Sequence, residues 1–341
     1  MQLINRYDGV LVCYDKDWKQ LWSFKPSDTL RLSNSRNQFY VQDGVIYTAY
    51  MTGYIYALDA KDGSIFWEGK VGMDHEKLHF SSQSLKPENN IIQLTSRSNN
   101  NTYAINATTG ELEWNYSMYS PNSYMPALAN GNEVFISTDP IISKFNAQTG
   151  QLHDSKNFQE NFGKMVHTDR VLIVPFETSK HIVALNPSDF NEVWRFELQK
   201  YSKNIGKNIF AINNHLFLAS SKSKDSAFVY CLNIKDGAVV GQVVLKGKIE
   251  SMEAIGEYIY GYTEDKKIFF FPMHQLAEIV TELKLEYQPV SNIELKDVNL
   301  YYYAKEGLIK FDLRNNKEAL LMLYDGSMNN SRLNTQLYLS N

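Results

Sequence analysis

The pentapeptide His75-Glu76-Lys77-Leu78-His79 is the stretch whose residue types and spacing most closely match a chemical device. On an α-helix, imidazoles four residues apart face one way and can hold a zinc ion while the carboxylate between them activates a water. That device needs several turns of helix. Gly69, Gly72, Ser81 and Ser82 flank the motif, no amphipathic run continues it and no third ligand is evident. The sequence therefore predicts a coincidental match, with His75 and His79 holding no metal.

Other catalytic patterns are missing. No phosphate-cradling glycine loop, dinucleotide fingerprint or nucleophile elbow occurs. His153, His167, His181, His215 and His274 are scattered over separate segments, and a lone strand histidine is more often structural than catalytic. Cys13 and Cys231 are too few for a disulfide framework or a cysteine metal cluster and read as buried free thiols.

The whole chain narrows the choice further. Its 341 residues, 43% apolar and 21% charged, describe an ordinary globular protein rather than a disordered one. Thirty-four basic against thirty-eight acidic side chains leave a net charge of −4, which argues against nucleic acid as a partner. No apolar run approaches the roughly eighteen residues that membrane insertion needs. Residues 1–6 lack the basic start and apolar stretch of a secretory signal. The expected location is a bacterial cytoplasm, or the periplasm if a leader precedes the native chain.

What must position any functional residue is a repeat. Residues 53–67 and 101–114 share the pattern Ala-x-Asp/Asn-x-x-x-Gly-x-x-x-Trp, carried by Ala57, Asp59, Gly63 and Trp67 and by Ala104, Asn106, Gly110 and Trp114. Weaker copies centre on Asn146, Asn186 with Trp194, and Asn233; worn ones centre on Pro272 and Asp312; a copy one residue shorter runs from Asp15 to Trp22. The eight anchors are 44, 47, 40, 40, 47, 39 and 40 residues apart. A period near forty suits either a helical pair or a four-stranded propeller blade. Segments such as 37–41, 44–48, 54–57 and 65–67 are rich in β-branched and aromatic residues and are broken by Asp-Gly or Thr-Gly turns, which selects strands. The strongest helical rival is 273–280, about one turn inside a worn copy.

The motif reads as a hairpin signature: Asp or Asn accepts backbone hydrogen bonds across the turn and Gly supplies a positive φ. A Trp at a fixed distance beyond it lands on the outer strand, where its ring can cover the Ala and Gly of the neighbouring blade. Trp22, Trp67, Trp114 and Trp194 are the expected staples between blades. Asp154, Gly241, Val280 and Leu320 stand at the same position in the other copies. The first copy has room for only one strand ahead of its hairpin, so 334–339 is expected to pair into the first blade and supply the missing one.

These residues resemble the pyrroloquinoline-quinone-type repeat, whose tryptophan-docking motif runs Ala-x-Asp-x-x-Thr-Gly-x-x-x-Trp. The resemblance implies an all-β, eight-bladed propeller of four-stranded antiparallel blades, with residues 1–341 as a single domain. It implies no single chemistry, because the family holds quinone-dependent dehydrogenases as well as non-enzymatic members such as the propeller lipoprotein of outer-membrane barrel assembly. Quinoprotein dehydrogenases are longer and many carry adjacent cysteines, whereas Cys13 and Cys231 fall in different repeats. The reading that follows is the non-enzymatic branch: a monomeric scaffold without cofactor that binds a partner protein as an adaptor or as a toxin-immunity type of inhibitor. The alternative is a quinone- or metal-dependent enzyme, or a small-molecule binder, using the central channel.

Charge and aromatic content nominate a binding face. Residues 195–248 hold nine basic and three acidic groups, and 249–318 hold eight and thirteen. Residues 220–226 read as a long exposed hairpin tip, and Tyr116, Tyr119 and Tyr124 as part of a connection between blades. Tyr and Arg commonly anchor interfaces, so Arg31, Arg36, Tyr119, Tyr124, Lys203 and Lys224 are the candidate partner-binding residues.

Overall fold

Strands account for the regular structure throughout the computed structural model. Described are residues 1–6, 9–26, 38–80, 85–118, 127–176, 178–198, 203–221, 226–274, 281–323 and 336–340, with the backbone alone for 38 and 203–207. Among these residues, thirty-one strands form eight antiparallel sheets, seven of four strands and one of three. This is an all-β eight-bladed propeller. In the second sheet the order is Gln38–Gln42, Val45–Ala49, Tyr54–Asp59, Ile65–Lys70, each strand pairing with the next through a short turn. The third sheet has Ile91–Ser96, Asn101–Asn106 and Leu112–Ser117, and at its inner edge Phe80 makes a single bridge to Ser96.

The first sheet takes strands from both ends of the chain. Gln2–Asn5 pairs with Leu11–Tyr14 on one side and with Gln336–Leu339 on the other, in the register Gln2 to Leu339 and Asn5 to Gln336. Ser340 N–H donates to the Met1 carbonyl at 2.9 Å, and the Met1 amino group donates to Ser340 Oγ at 2.8 Å.

Burial explains the composition of the strands. The second and third strands of a four-stranded sheet are covered on both faces, so Leu172–Phe176 and His181–Leu185 are buried along their whole length and read as largely continuous rather than alternating apolar runs. Outer strands such as Leu152–Asn157 are largely exposed. The core is thus a set of clusters between successive sheets, for example Ala57, Trp67, Ile92, Leu94 and Ile105 between the second and third.

Contacts divide the chain into two compact units, Met1–Asn157 with Gly326–Asn341, and Phe158–Asp325. The first unit holds sheets one to four and the second sheets five to eight.

Candidate interaction surface

The repeat motif builds the seams between sheets. At seven of the eight anchors the Asp or Asn Oδ1 accepts a backbone N–H two residues on, as from Lys61 to Asp59 at 2.8 Å and from Thr108 to Asn106 at 2.9 Å; the eighth anchor is Pro272, which has no such oxygen. The motif glycine then closes the turn with a positive φ, +75° at Gly63, +77° at Gly110, +67° at Gly150 and +71° at Gly237. Each of these glycines lies beneath the indole of the preceding sheet. A Cβ on Gly63 would stand 2.7 Å from Trp22 Cε3, and one on Gly237 2.6 Å from Trp194 Cε3. Both the turn and the ring require glycine there.

The indole nitrogen completes the seam. Trp67, Trp114 and Trp194 donate Nε1–H to the carbonyls of Ala107, Ala147 and Ile234, at 2.9, 2.8 and 2.7 Å. Each acceptor is the residue after the anchor, and its own N–H reaches back to the first hairpin of its sheet, to Asn90, Asn132 and Asn214 respectively. One tryptophan therefore grips both turns of its neighbour. Burying about 200 Å² of indole at about 25 cal/mol/Å² contributes roughly 5 kcal/mol gross per seam before entropy is subtracted.

Four details differ from the sequence reading. The motif alanine lies in the tryptophan's own sheet, not the neighbouring one: Ala57 pairs with Trp67, Ala104 with Trp114 and Ala184 with Trp194. A β-bulge follows that pair at the same place in six sheets, a shift of register that the spacing did not reveal. Trp22 lies over Gly63, yet its buried Nε1 has no acceptor among the described residues. An open cavity of about 520 Å³ in the same unit is lined by Met1, Cys13, Leu21 and Ala60 among others. In the fifth sheet Phe190, buried at φ +54°, stands where four other turns have Gly63, Gly110, Gly150 and Gly237.

The His75-Glu76-x-x-His79 segment is a turn followed by irregular chain. His75 has φ +67°, the Glu76 carboxylate accepts the Met73 N–H at 3.0 Å, Leu78 is buried, and His79 N–H donates to Ser98 Oγ. The helix that would align the two imidazoles does not form. Among the described residues no group of three His, Cys, Asp or Glu side chains could hold a metal ion. Cys13 and Cys231 are free and buried, and burial pushes the Cys231 thiol up to about 11.

Of the candidate binding residues, Arg31, Arg36, Tyr119, Tyr124 and Lys224 lie outside the described residues, as do 275–280 of the helical rival. Lys203 opens the inner strand Lys203–Ile212 and pairs with Ser221, so it belongs to a sheet rather than to a connection. Tyr116 likewise sits in an outer strand, its ring 4.6 Å from that of Phe145, and Ser220 is buried inside His215–Ser221 rather than at an exposed tip.

The sequence reading did not single out Glu253, on an inner strand, or Lys164, in the irregular chain just before Val166–His167, and it named His181 only as a scattered strand histidine. Burial pushes the Glu253 carboxyl up to about 7, against the opposing pull of the Ile293 N–H that it accepts from the next sheet at 2.9 Å. Burial also pushes the Lys164 amine down to about 8. His181 stacks on Phe176, and its Nε2 lies 3.3 Å from the Arg195 guanidinium. None of these carried a motif.

The outer strands are where apolar side chains reach solvent. Leu21, Ile65, Phe66, Leu112 and Leu152 in the first unit, and Val193, Val239, Val240 and Val244 in the second, are about half exposed. Two groups stand out: Val239, Val240 and Val244 on the sixth sheet, whose outer strand Val239–Lys246 pairs with Ser226–Asn233, and Leu320, Leu321 and Leu323 on the outer strand Lys317–Leu323 of the eighth.

Sheets locked by an outer-strand tryptophan over the glycine of the next turn define the class of pyrroloquinoline-quinone-type repeat propellers. The family model described as outer membrane protein assembly factor BamB matches residues 3–196, more than half of the chain, and the chain belongs to that family. Among solved structures it is similar to BamB from Moraxella catarrhalis, with 15% identity and a TM-score of 0.63 over 89% of this chain and 91% of that one. It is also similar to the computationally designed Ika8 protein, with 13% identity and a TM-score of 0.65 over 89% and 90%. A third likeness is to the dihydro-haem d1 dehydrogenase NirN in complex with DHE, with 12% identity and a TM-score of 0.65 over 93% and 72%. At such identities the likeness is one of fold, and the third shows that this fold also carries an enzyme. No curated protein matches the sequence.

Proposed function

We propose that the chain is a non-catalytic scaffold that binds another protein, as an adaptor in an assembly or as an inhibitor of the toxin-immunity type. The observation that carries this reading is membership of a family described by an assembly factor, together with a repeat motif whose residues are spent on joining sheets. Exposed apolar side chains on the outer strands supply contact area of the kind a protein partner uses. Nucleic acid does not suit a net charge of −4. Free of its partner the chain is expected to be a monomer. The sequence reading favours the cytoplasm, and cell fractionation distinguishes that from the periplasm.

The fold shared with the NirN dehydrogenase gives the second reading some weight: an enzyme or small-molecule binder with quinone or metal as cofactor. Titration with pyrroloquinoline quinone followed by absorbance, together with metal analysis after dialysis, separates the two. Saturable quinone binding or a stoichiometric metal would overturn the scaffold reading. Recovery of one stoichiometric protein with the full chain from its native lysate supports it, and repeated failure to recover any sinks it.

A further inference from the structure

We propose that the outer edge of the sixth sheet, strand Val239–Lys246, is a docking edge that takes an extended segment of a partner protein as a fifth strand. The proposal rests on the scaffold reading and names its surface. The strand is eight residues long, the longest of the outer strands. It pairs on one side with Ser226–Asn233, and among the described residues no strand pairs with its other side. A free edge presents unpaired N–H and C=O groups, and proteins usually guard it with charge, proline or shortness. Six of the other seven outer strands carry charge within them, Glu68 in Ile65–Lys70 and Arg195 in Glu192–Glu197 among them. The seventh, Gln20–Phe24, is five residues long and lies between Lys19 and Lys25. From Val239 to Leu245 there is no charge at all, and Val239, Val240 and Val244 are 51%, 57% and 57% exposed.

Pattern and charge define the occupant. Beyond the β-bulge at Val239–Gly241, Val240, Gln242 and Val244 are exposed while Gly241, Val243 and Leu245 between them are less so, which puts the three on one face. The strand ends on the exposed Lys246. Every pairing in this sheet is antiparallel, so an added antiparallel strand brings its N-terminal end beside Lys246. The fitting segment is extended, apolar and β-branched at alternate positions, uncharged along its length and acidic at its N-terminal end. A second copy fits less well, because antiparallel self-pairing sets each Lys246 opposite Val239 and leaves both lysines without a counter-charge. Main-chain bonds would give affinity and the alternate side chains specificity.

The test uses the full chain and a fluorescein-labelled, acetylated and amidated peptide, Glu-Val-Thr-Val-Thr-Val-Thr-Val, read by fluorescence anisotropy. Saturable binding is expected. It should weaken at least tenfold when alternate peptide amides are N-methylated, and at least tenfold in Val244→Lys with an unchanged thermal midpoint. Lys246→Glu should weaken it as well, and a peptide with Lys in place of Glu should restore it. Absence of saturable binding, equal binding of the N-methylated peptide, or indifference to Val244→Lys would overturn the assignment. So would a dimer in sedimentation equilibrium that Val244→Lys dissolves, since a second copy would then hold the edge. A stoichiometric partner whose binding ignores Val244→Lys would remove the docking edge while leaving the scaffold reading in place.

Discussion

The indole N–H of Trp67 donates to the carbonyl of Ala107, forty residues further along the chain and one sheet away, at 2.9 Å. Ala107 in turn donates its N–H to the Asn90 carbonyl at 2.8 Å, so a single side chain is tied to both hairpin turns of the third sheet. Trp22 has the ring without the bond. The pair separates what the aromatic surface contributes from what the hydrogen bond contributes.

Replacing Trp67 by Phe removes part of the ring and leaves the Ala107 carbonyl without its donor, which should cost about 3 kcal/mol. Trp22→Phe removes the same ring area and no bond, and should cost about 1 kcal/mol less. Urea denaturation of the two variants measures the difference. Equal losses would mean that the indole bond adds nothing to the seam.

Gly110 and Gly131 both have positive φ, +77° and +57°, but only Gly110 lies beneath an indole; a Cβ on Gly131 would meet nothing within 4 Å. Gly131→Ala should cost the left-handed penalty of about 1 kcal/mol. Gly110→Ala adds a collision with the Trp67 ring and should cost about 3 kcal/mol in all. Thermal unfolding of the two variants under one buffer condition checks the order, and a Gly110→Ala protein as stable as Gly131→Ala would contradict it.

Glu253 gives stability a defined pH dependence. Its folded-state carboxyl is pushed up to about 7 from an ordinary 4.5, so the folded chain holds the proton more tightly than the unfolded chain. Its contribution is complete below pH 4.5, is lost as pH rises to 7, and is flat beyond, amounting to about 3 kcal/mol across that window. Glu253→Gln keeps an oxygen for the Ile293 N–H and should flatten that stretch of the profile. Lys164, pushed down to about 8, acts in a separate window: stability should rise with pH above 8 as the unfolded chain, not the folded one, retains that proton. A Glu253→Gln variant with an unchanged slope between pH 4.5 and 7 would refute the assignment.

Removing residues 330–341 deletes Gln336–Leu339 and with it four paired residues of the first sheet. It also deletes the two bonds between the Gln336 amide and the Phe39 backbone, at 2.9 and 3.1 Å. If residues 1–341 are one domain, the shortened chain should lose its single cooperative transition. An unchanged calorimetric melting curve would count against both the single domain and the role of the closing strand.

Much of this architecture is written in short-range chemistry. Asp59 or Asn106 with a glycine four residues on specifies a turn by local hydrogen bonding alone, so the repeat shows through even where the tryptophan is lost, as at Asp154 and Gly241. The bulge beside Ala57 was not legible, because it depends on how two strands meet and leaves no residue type behind. That Phe190 takes the glycine's positive φ was not legible either, since the weaker copy at Asn186 looks the same whether the turn is preserved or not. The candidate surface was harder still. Charged and aromatic residues point to Arg31, Tyr119 and Lys224, whereas the repeat places Gly241 on an outer strand without saying which of the valines around it are exposed. The structure shows Val239, Val240 and Val244 exposed on that strand.

The bonds between Met1 and Ser340 bring the two ends of the first unit's chain to one spot. A linker of a few residues joining them would make the polypeptide a topological circle. New termini could then be opened at an exposed hairpin, such as the turn at Gly256, giving circular permutants in which Gln2–Asn5 and Gln336–Leu339 are neighbours in sequence. Fluorescent proteins fused to either end of the native order would emerge side by side, which makes the pair a built-in distance gauge for the joint between Gln2–Asn5 and Gln336–Leu339.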